Sequence, residues 1–509
     1  MQNRGRSDAP SVLGLAPTAA AYAVAALLVF AATRWVRLDY DEYANAHAAW
    51  LISRGARPFV DFQAMHAPFF WFLLAPALTR LPEAFSSLIV LRALNAASAA
   101  ALLGVLTALA RETIPDEESR RWLPAAFAIA VLQPQVVATL AQLRPDHLST
   151  ALILAGALVL RGRRPNSVSA RAAVFGALTT LGLALSPKLF LLPLMIVLAR
   201  AMPPRARGEN PLRFFAAAGA AAAAAAAALA LGSFSRGVDP RLIPRLAFAF
   251  QARLLSGFPP FELLSEMGRQ IAAAPLRLGP ILVFGLWGLW RARGAWRDER
   301  RDALVVGAFI LVQAAWVKFP FAQYSHTLYL LWVFPLALFY DQARRVCSRR
   351  LLLVLTAALL TADGLALWSA ASEGWKWGEE LRAQTRLGDA MLSLAAAGRP
   401  VSAQPYADPV FRRDSTYWDW FASSYAEPDM EKILRAMPVP GFTRAFSYDG
   451  YSEQLEKNPP SLVAPNPMFA GPDYLRAVHD FVERKHKANY AEFRSGGLTF
   501  WLRRPRAAR

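Results

Sequence analysis

Apolar segments of about 20 residues recur along the chain, separated by short connections that hold most of the charge. A helix of that length crosses the hydrocarbon core of a bilayer, so this pattern predicts a polytopic helical membrane protein. The predicted spans lie near residues 12–32, 86–110, 122–141, 147–161, 171–186, 187–201, 213–235, 276–291, 303–319, 325–341 and 350–370. We therefore expect an all-α membrane domain over residues 1–370 with about eleven transmembrane helices.

The run PFFWFLLAPALTRL, residues 68–81, is apolar but short and interrupted by proline. We interpret it as an interfacial or re-entrant helix. The positive-inside rule supports this choice. With a cytoplasmic N-terminus, clusters such as Arg161, Arg163 and Arg164 fall in inner loops, whereas the short outer loops hold single cations. Counting residues 68–81 as a span would reverse every later loop.

Composition agrees with a membrane protein, because only 18% of the residues are charged, against about 25% in soluble domains. The net charge of +19 comes from short loops, where topology and anionic lipids explain it, so we expect membrane lipids and no nucleic acid as partners. Cys347 is the single cysteine, which excludes an internal disulfide and a cysteine-based metal site.

Three longer segments are predicted to lie outside the cytoplasm: residues 33–85, about 236–275 and 371–509. The last is much more polar and is long enough to bury a core of its own. Its stretch DYLRAVHDFVERKHKANYAEF has helical spacing, whereas PPSLVAP and LTFWLRR are typical of short strands. We expect a small α/β extracytoplasmic domain at the C-terminus.

Ionisable residues are concentrated just after the first predicted span. The stretch between residues 38 and 68 holds Asp39, Asp41, Glu42, Asp61 and His66. Carboxylates beside a bilayer are costly unless they lie in water or in a site. Further polar residues lie in the other outer connections: Arg144, Asp146, His147, Lys188, Lys318, Tyr324 and His326. Because these connections face the same side, we expect them to form one site for an anionic lipid and a nucleophile.

Simpler explanations exist for several of these residues. Asp39 can cap a helix, and Asp146 can cap the helix that follows Pro145. Lys188 can extend its amine to the membrane interface. Lys188 is nevertheless hard to dismiss, because it lies between two apolar runs with no acidic neighbour. No phosphate-binding loop or hydrolase motif stands in a supporting context, so we expect no nucleotide cofactor.

The sequence LDYDEYANAHAAWLISRG, continued by GARPFVDFQAMHAPFFWFLL, resembles the first outer loop of GT-C superfamily glycosyltransferases. The likeness is strongest to the family 39-type branch, which holds protein O-mannosyltransferases and lipid A aminoarabinose transferases. Asp146 in RPDH and Lys188 in SPK support it. The chain departs from the aminoarabinose transferases at HAP, where they carry a Lys-Pro-Pro-type run, so the donor sugar stays open.

The resemblance implies a glycosyltransferase of the cytoplasmic (inner) membrane, which moves a sugar from a polyprenyl-phosphate donor to an outer-face acceptor with inversion. It implies that Asp41 is the catalytic carboxylate that deprotonates or positions the acceptor hydroxyl. Lys188 is expected to stabilise the leaving phosphate, less surely with Lys318 or His326. The remaining expected substrate-binding residues are Glu42, Asp61, His66, Arg144, Asp146 and Tyr324. Asp41 and Asp146 could share a divalent cation, so metal use stays open.

A transporter or flippase of lipid-linked sugars is the main alternative, with the carboxylates relaying protons. It predicts inverted repeats with paired broken helices, and the sequence shows no matching half-chain symmetry. A third possibility is a non-catalytic scaffold whose outer domain binds a partner. The sugar, the acceptor (lipid, glycan or protein) and the oligomeric state stay open.

Overall fold

The computed structural model describes residues 12–62, 66–114, 116–162, 167–201, 211–244, 261–295, 300–317, 322–395, 398–403, 409–416, 447–465, 472–495 and 498–504. The first ten helices are α1 (Val12–Ala32), α2 (Tyr40–Ser53), α3 (Phe69–Leu78), α4 (Ser86–Thr113), α5 (Glu117–Arg120), α6 (Leu123–Val131), α7 (Pro134–Ala141), α8 (Asp146–Arg161), α9 (Val168–Leu185) and α10 (Leu191–Ala201). They are followed by α11 (Pro211–Phe234), α12 (Glu262–Ala273), α13 (Pro275–Ala292), α14 (Arg301–Trp316), α15 (Ala322–Leu331), α16 (Val333–Ala343), α17 (Arg349–Leu394), α18 (Tyr448–Lys457) and α19 (Pro472–His479).

Each predicted apolar segment coincides with one or two of these helices. Within the described residues, α4, α9, α11 and α17 are long and apolar enough to cross a membrane. The stretch 117–141 is a fifth candidate, although it bends by 75° between α6 and α7. Pro134 explains the bend, because a proline disfavours helical geometry at the preceding residue and Gln133 is extended there. A multi-pass membrane protein is thus supported, while the number of eleven spans stays a prediction.

The ambiguous segment 68–81 forms α3, a helix of ten residues. Ten residues rise only about 15 Å, about half of the hydrocarbon thickness. Helix α3 packs against α2, where the indole of Trp71 donates to Asn45 Oδ1 at 2.9 Å. The short helix is confirmed, and its depth relative to a bilayer stays a prediction.

Small residues allow close packing inside the helical bundle. Helix α9 lies between α8 and α11, and Gly176 of α9 faces the backbone of α11. A Cβ atom at Gly176 would lie 2.1 Å from the carbonyl oxygen of Ala218. Only glycine fits this contact, which is typical of helix association in membranes.

The C-terminal elements form a four-stranded sheet with the order β1-β2-β4-β3. Its strands are β1 (Val401–Ala403), β2 (Leu462–Ala464), β3 (Tyr490–Ser495) and β4 (Leu498–Arg503). Strands β1 and β2 are parallel, and the other pairs are antiparallel. The predicted strands in PPSLVAP and LTFWLRR are confirmed. The predicted helix over DYLRAVHDFVERKHKANYAEF is correct at α19 but wrong at its end, which is strand β3.

Helix α17 passes through the predicted domain boundary at residues 370–371 and continues to Leu394. Its 46 residues correspond to about 70 Å. Its C-terminal part contacts the segment that precedes α2. Gln384 accepts a hydrogen bond from the backbone N–H of Leu38 at 2.8 Å and donates one to the carbonyl oxygen of Leu38 at 3.1 Å. Asp389 also accepts from the backbone of Phe85 at 2.8 Å. The acidic segment is therefore packed against the C-terminal region, whose placement outside the cytoplasm stays a prediction.

Candidate active site

Arg144 joins two partly buried carboxylates at the start of α2, Asp39 and Asp41. It lies between α7 and α8, is only 2% exposed, and donates through one terminal nitrogen to Asp41 and through the other to Asp39. A guanidinium fork suits two acceptors held in a fixed plane. Asp39 also caps α2, since its second oxygen accepts from the backbone of Tyr40 at 2.7 Å. The described residues offer no partner to Oδ1 of Asp41.

Glu42 lies behind this pair and does not reach a cavity. It is fully buried and forms a two-pronged ion pair with Arg92 of α4, with Arg92 Nε 2.6 Å from Glu42 Oε1. Its oxygens also accept from the backbone of Asp39 at 2.9 Å and of Leu143 at 2.7 Å. The structure thus places Glu42 where it holds the start of α2, and its contact with a substrate stays a prediction.

Sequence reasoning missed Arg92. Its guanidinium is buried, and it also donates to the backbone carbonyls of Thr33, Val36 and Arg37. One signal was available: Arg92 lies inside a predicted span, where a lone cation needs a partner. The partner itself, 50 residues earlier in the chain, could not be identified from sequence spacing.

The second half of the site is built around Lys188, in the turn between α9 and α10. Its ammonium lies 3.0 Å from Asp146 Oδ2 and 4.6 Å above the ring of Tyr324. The hydroxyl of Ser186 donates to the other oxygen of Asp146 at 2.7 Å. The structure therefore brings three predicted residues, Lys188, Asp146 and Tyr324, into direct contact, and adds Ser186.

These side chains line a small cavity of about 20 Å³, which has room for little more than one water molecule. Its wall comprises Asp146, Ser149, Thr150, Ser186, Lys188, Leu189, Leu263, Gln313, Tyr324, Thr327 and Leu328. The buried Oε1 of Gln313 has no partner within the described part of the chain. An unsatisfied buried polar atom in a cavity wall indicates that a ligand or water completes the site.

The two halves act on each other electrostatically. The charge of Asp41 acts on Lys188, and the charge of Asp146 acts on Arg144. His66 is exposed to the charges of Lys188, Asp146 and Arg144. Convergence of the outer connections at one site was expected from the sequence. It is seen for the connections that carry Asp41, His66, Arg144, Asp146 and Lys188.

His326 occupies a different position. It forms a hydrogen bond of 2.6 Å with the hydroxyl of Thr139 and lines a second cavity of about 10 Å³. That cavity shares Asp146, Thr150 and Thr327 with the first, so His326 lies next to the cavity at Lys188. Lys318 lies outside the described residues.

Asp61 is not part of this cavity. It pairs with Arg57, whose Nε lies 3.1 Å from Asp61 Oδ2, and it lines a separate cleft near the C-terminal end of α2. Partial burial would raise the pKa of Asp61, but the hydrogen bonds and charge of Arg57 lower it below its usual value.

His66 remains neutral at physiological pH. Burial, reinforced by the charge of Lys188, lowers its pKa from 6.5 to about 3. Above pH 6.5 the ring is neutral in both the folded and unfolded states, so it contributes nothing to pH dependence. Between pH 6.5 and about 3 only the unfolded state binds the proton, so folding stability falls as the pH falls.

We expect the His66→Gln variant to lose less stability than the wild type over this interval. The difference should grow by at most about 1.4 kcal/mol per pH unit, the value for one proton. Unfolding in detergent at pH 7, 6, 5 and 4 measures it. Parallel stability curves for the two proteins would show that His66 titrates normally in the folded state.

The site does not fit a metal shared by Asp41 and Asp146. Asp41 is engaged by Arg144, and Asp146 by Lys188 and Ser186, so a divalent cation would have to displace protein cations. Among the described residues, no group of three or more His, Cys, Asp or Glu side chains is placed to hold a metal ion. Binding through protein cations therefore suits an anionic ligand better.

No protein-family model matches the chain, and no curated protein matches its sequence. Its fold is similar to the crystal structure of ArnT from Cupriavidus metallidurans bound to undecaprenyl phosphate, with a TM-score of 0.61 and 12% identity over 97% of this chain and 98% of that chain. The apo oligosaccharyltransferase of Archaeoglobus fulgidus aligns with a TM-score of 0.48 and 13% identity over 95% of this chain and 73% of that chain. The likeness to ArnT extends over nearly the whole of both chains and shows a similar fold.

Proposed function

We propose that this protein is a membrane glycosyltransferase that moves a sugar from a polyprenyl-phosphate donor to an acceptor hydroxyl on the outer face of the membrane. The observation that carries the proposal is the cluster of two ion pairs in which Arg144 holds Asp41 and Asp146 holds Lys188. The charges of the two pairs act on each other, so a carboxylate and a cation from distant parts of the chain lie in one site. They do so in a fold similar to ArnT, whose structure contains undecaprenyl phosphate.

The wall of the cavity carries groups for both parts of such a donor, and the wall has to open to admit them because the cavity is only about 20 Å³. Lys188 offers a positive charge to the phosphate, and Leu189, Leu263 and Leu328 give the wall an apolar portion for the lipid. Asp146 and the Tyr324 ring hold the ammonium in place before the donor arrives. Asp146 also keeps the buried charge of Lys188 compensated when no phosphate is bound.

Asp41 is better placed than Asp39 to act as the base. Both carboxylates are held by Arg144, but the second oxygen of Asp39 is committed to the helix cap. Asp41 keeps Oδ1 for an acceptor hydroxyl and is partly exposed. Its proton-accepting role requires such a hydrogen bond with the substrate.

The proposed reaction is a single displacement. The acceptor oxygen forms a bond to the anomeric carbon from one side while the bond from that carbon to the phosphate oxygen breaks on the other. The hydroxyl proton goes to Asp41, and the bonding electrons leave with the phosphate. The phosphate gains one negative charge, which Lys188 stabilises where it develops.

Transfer by the purified full-length protein tests this function. The protein is placed in lipid vesicles with a panel of undecaprenyl-phosphate-linked hexoses and pentoses, and an envelope extract serves as the acceptor. We expect labelled sugar to move from at least one donor into the extract. A wild type that transfers no sugar from any donor, but moves lipid-linked sugar across the vesicle bilayer, would favour the flippase.

Replacing Lys188 by Gln should lower the transfer rate by about 10²–10³-fold, the usual effect of removing one group that stabilises developing charge. We expect kcat to fall by a larger factor than the affinity for the donor. The reason is that the phosphate becomes more negative as it leaves, so Lys188 binds the leaving phosphate more strongly than it binds the donor. Steady-state kinetics over a range of donor concentrations separates the two effects.

Lys457 provides a matched control, since it is exposed at the end of α18 and lies outside the wall of the cavity. The Lys457→Gln variant should transfer at the wild-type rate. If Lys188→Gln retained activity within about threefold of the wild type, Lys188 would not stabilise the leaving group.

A further inference from the structure

The separate cleft that contains Asp61 lies between the C-terminal end of α2 and the segment 409–416. It has a volume of about 370 Å³ and is lined by Leu51, Arg54, Gly55, Ala56, Asp61, Phe62, Arg413, Asp414 and Thr416. It shares no wall residue with the cavity at Lys188. It joins the first outer segment to the C-terminal region and is not used by the proposed reaction.

Both acidic groups of this cleft are already compensated. Asp61 receives three hydrogen bonds from Arg57, at 2.8, 3.1 and 3.2 Å. Asp414 lies 2.9 Å from Nε2 of the buried His47, whose Nδ1 donates to the carbonyl of Val410 at 2.6 Å. Because a carbonyl and a carboxylate both accept, the doubly protonated ring satisfies this geometry.

The positive charges of the two wall arginines, Arg54 and Arg413, are balanced less completely than the negative charges of Asp61 and Asp414. Arg413 is exposed, and the described residues provide it with no ion-pair partner. Arg54 contacts Glu83 through one terminal nitrogen at 2.5 Å, and its side chain remains 47% exposed. Glu83 is itself shared with Arg412 at 3.0 Å. The cleft therefore has a surplus of positive charge.

We propose that this cleft binds an acidic saccharide, with Arg54 and Arg413 holding its carboxylate or phosphate group. Guanidinium groups bind both anions through paired hydrogen bonds. The hydroxyls of a sugar can donate to the spare lone pairs of Asp61 and Asp414 and can bond to Thr416. An acidic peptide such as tetraglutamate has anionic groups for the arginines but no hydroxyl groups for Asp61, Asp414 and Thr416.

The location suggests how the ligand relates to the reaction, and this step rests on the proposed function. Arg54 follows Asp41 by thirteen residues along α2, which corresponds to about 20 Å. A single sugar cannot reach both positions. The cleft would thus hold the distal part of an extended acceptor whose reacting hydroxyl lies at Asp41.

Direct binding to the full-length protein in detergent tests the cleft without requiring transfer. The probes are a tetrasaccharide that alternates glucuronic acid with N-acetylglucosamine, the same tetrasaccharide with a terminal phosphate replacing its carboxylates, neutral maltotetraose and tetraglutamate. We expect both acidic saccharides to bind at least about fivefold more tightly than maltotetraose, with an affinity that falls as salt is raised. Tetraglutamate should bind no better than maltotetraose.

The Arg413→Gln variant should weaken binding of the acidic saccharides by about fivefold, whereas Arg413→Lys should retain most of it. Arg382→Gln is the matched control, because Arg382 is exposed on α17 and absent from the cleft wall. The Asp41→Asn variant should bind like the wild type, which separates this cleft from the reaction site.

Equal binding of the acidic and neutral saccharides, or no loss in Arg413→Gln, would overturn the proposal. Preferential binding of tetraglutamate would overturn it in favour of a protein ligand. If the acidic saccharides bind as expected but the wild type transfers no sugar, the cleft stands and the proposed function fails.

Discussion

Replacing Asp41 by Asn should lower sugar transfer by about 10²–10⁴-fold, the range expected when a general base is removed. The amide still accepts the hydrogen bond from Arg144 but takes no proton from the acceptor hydroxyl. The fold should be retained, because Asp41 is partly exposed and its side chain makes no other hydrogen bond among the described residues. Transfer from an undecaprenyl-phosphate-linked sugar in vesicles measures the effect.

Two further variants make the result specific. Asp239 follows α11, has a side chain that is 38% exposed, and pairs with Arg241, so Asp239→Asn should be as active as the wild type. Asp39→Asn removes a cap and one contact to Arg144, so we expect a smaller loss of transfer than in Asp41→Asn. Full activity in Asp41→Asn, or a larger loss in Asp39→Asn, would reassign the base.

The helices were predictable because their signal is local. Runs of apolar residues identify them, and each predicted segment is mostly helical in its described part. The interruption by Pro134 was visible in the sequence, but the 75° bend was not, since packing determines its angle. The end of helix α17 was also not predictable. The composition becomes more polar near residue 370, but the helix continues to Leu394, because residues such as Glu379, Leu381 and Ala383 are good helix formers.

Part of the site was predictable for a different reason. Charges next to apolar spans need partners, and this rule singled out Asp146 and Lys188 separately. Their ion pair follows from folding, since the two residues are 42 positions apart. The contact between His47 and Asp414 was beyond prediction, because 367 positions separate them and nothing in either local sequence indicates the other.

Replacing Arg92 by Met should destabilise the protein by about 3–5 kcal/mol, since it leaves Glu42 as an unpaired buried charge. The change also removes the donors that hold the carbonyls of Val36 and Arg37, which precede Asp39. Unfolding of the purified protein in mixed detergent micelles measures the loss. Arg80, an exposed arginine between α3 and α4, is the control, and Arg80→Met should change stability by less than about 0.5 kcal/mol.

A double variant separates the ion pair from the other contacts of Arg92. Glu42→Gln removes the charge that Arg92→Met leaves unpaired, so the combination should be more stable than Arg92→Met alone. Recovery should be partial, because the backbone carbonyls still lack their donors. If the two losses simply add, Glu42 and Arg92 do not act as a pair. The pair would then not explain how Asp41 is held at the start of α2.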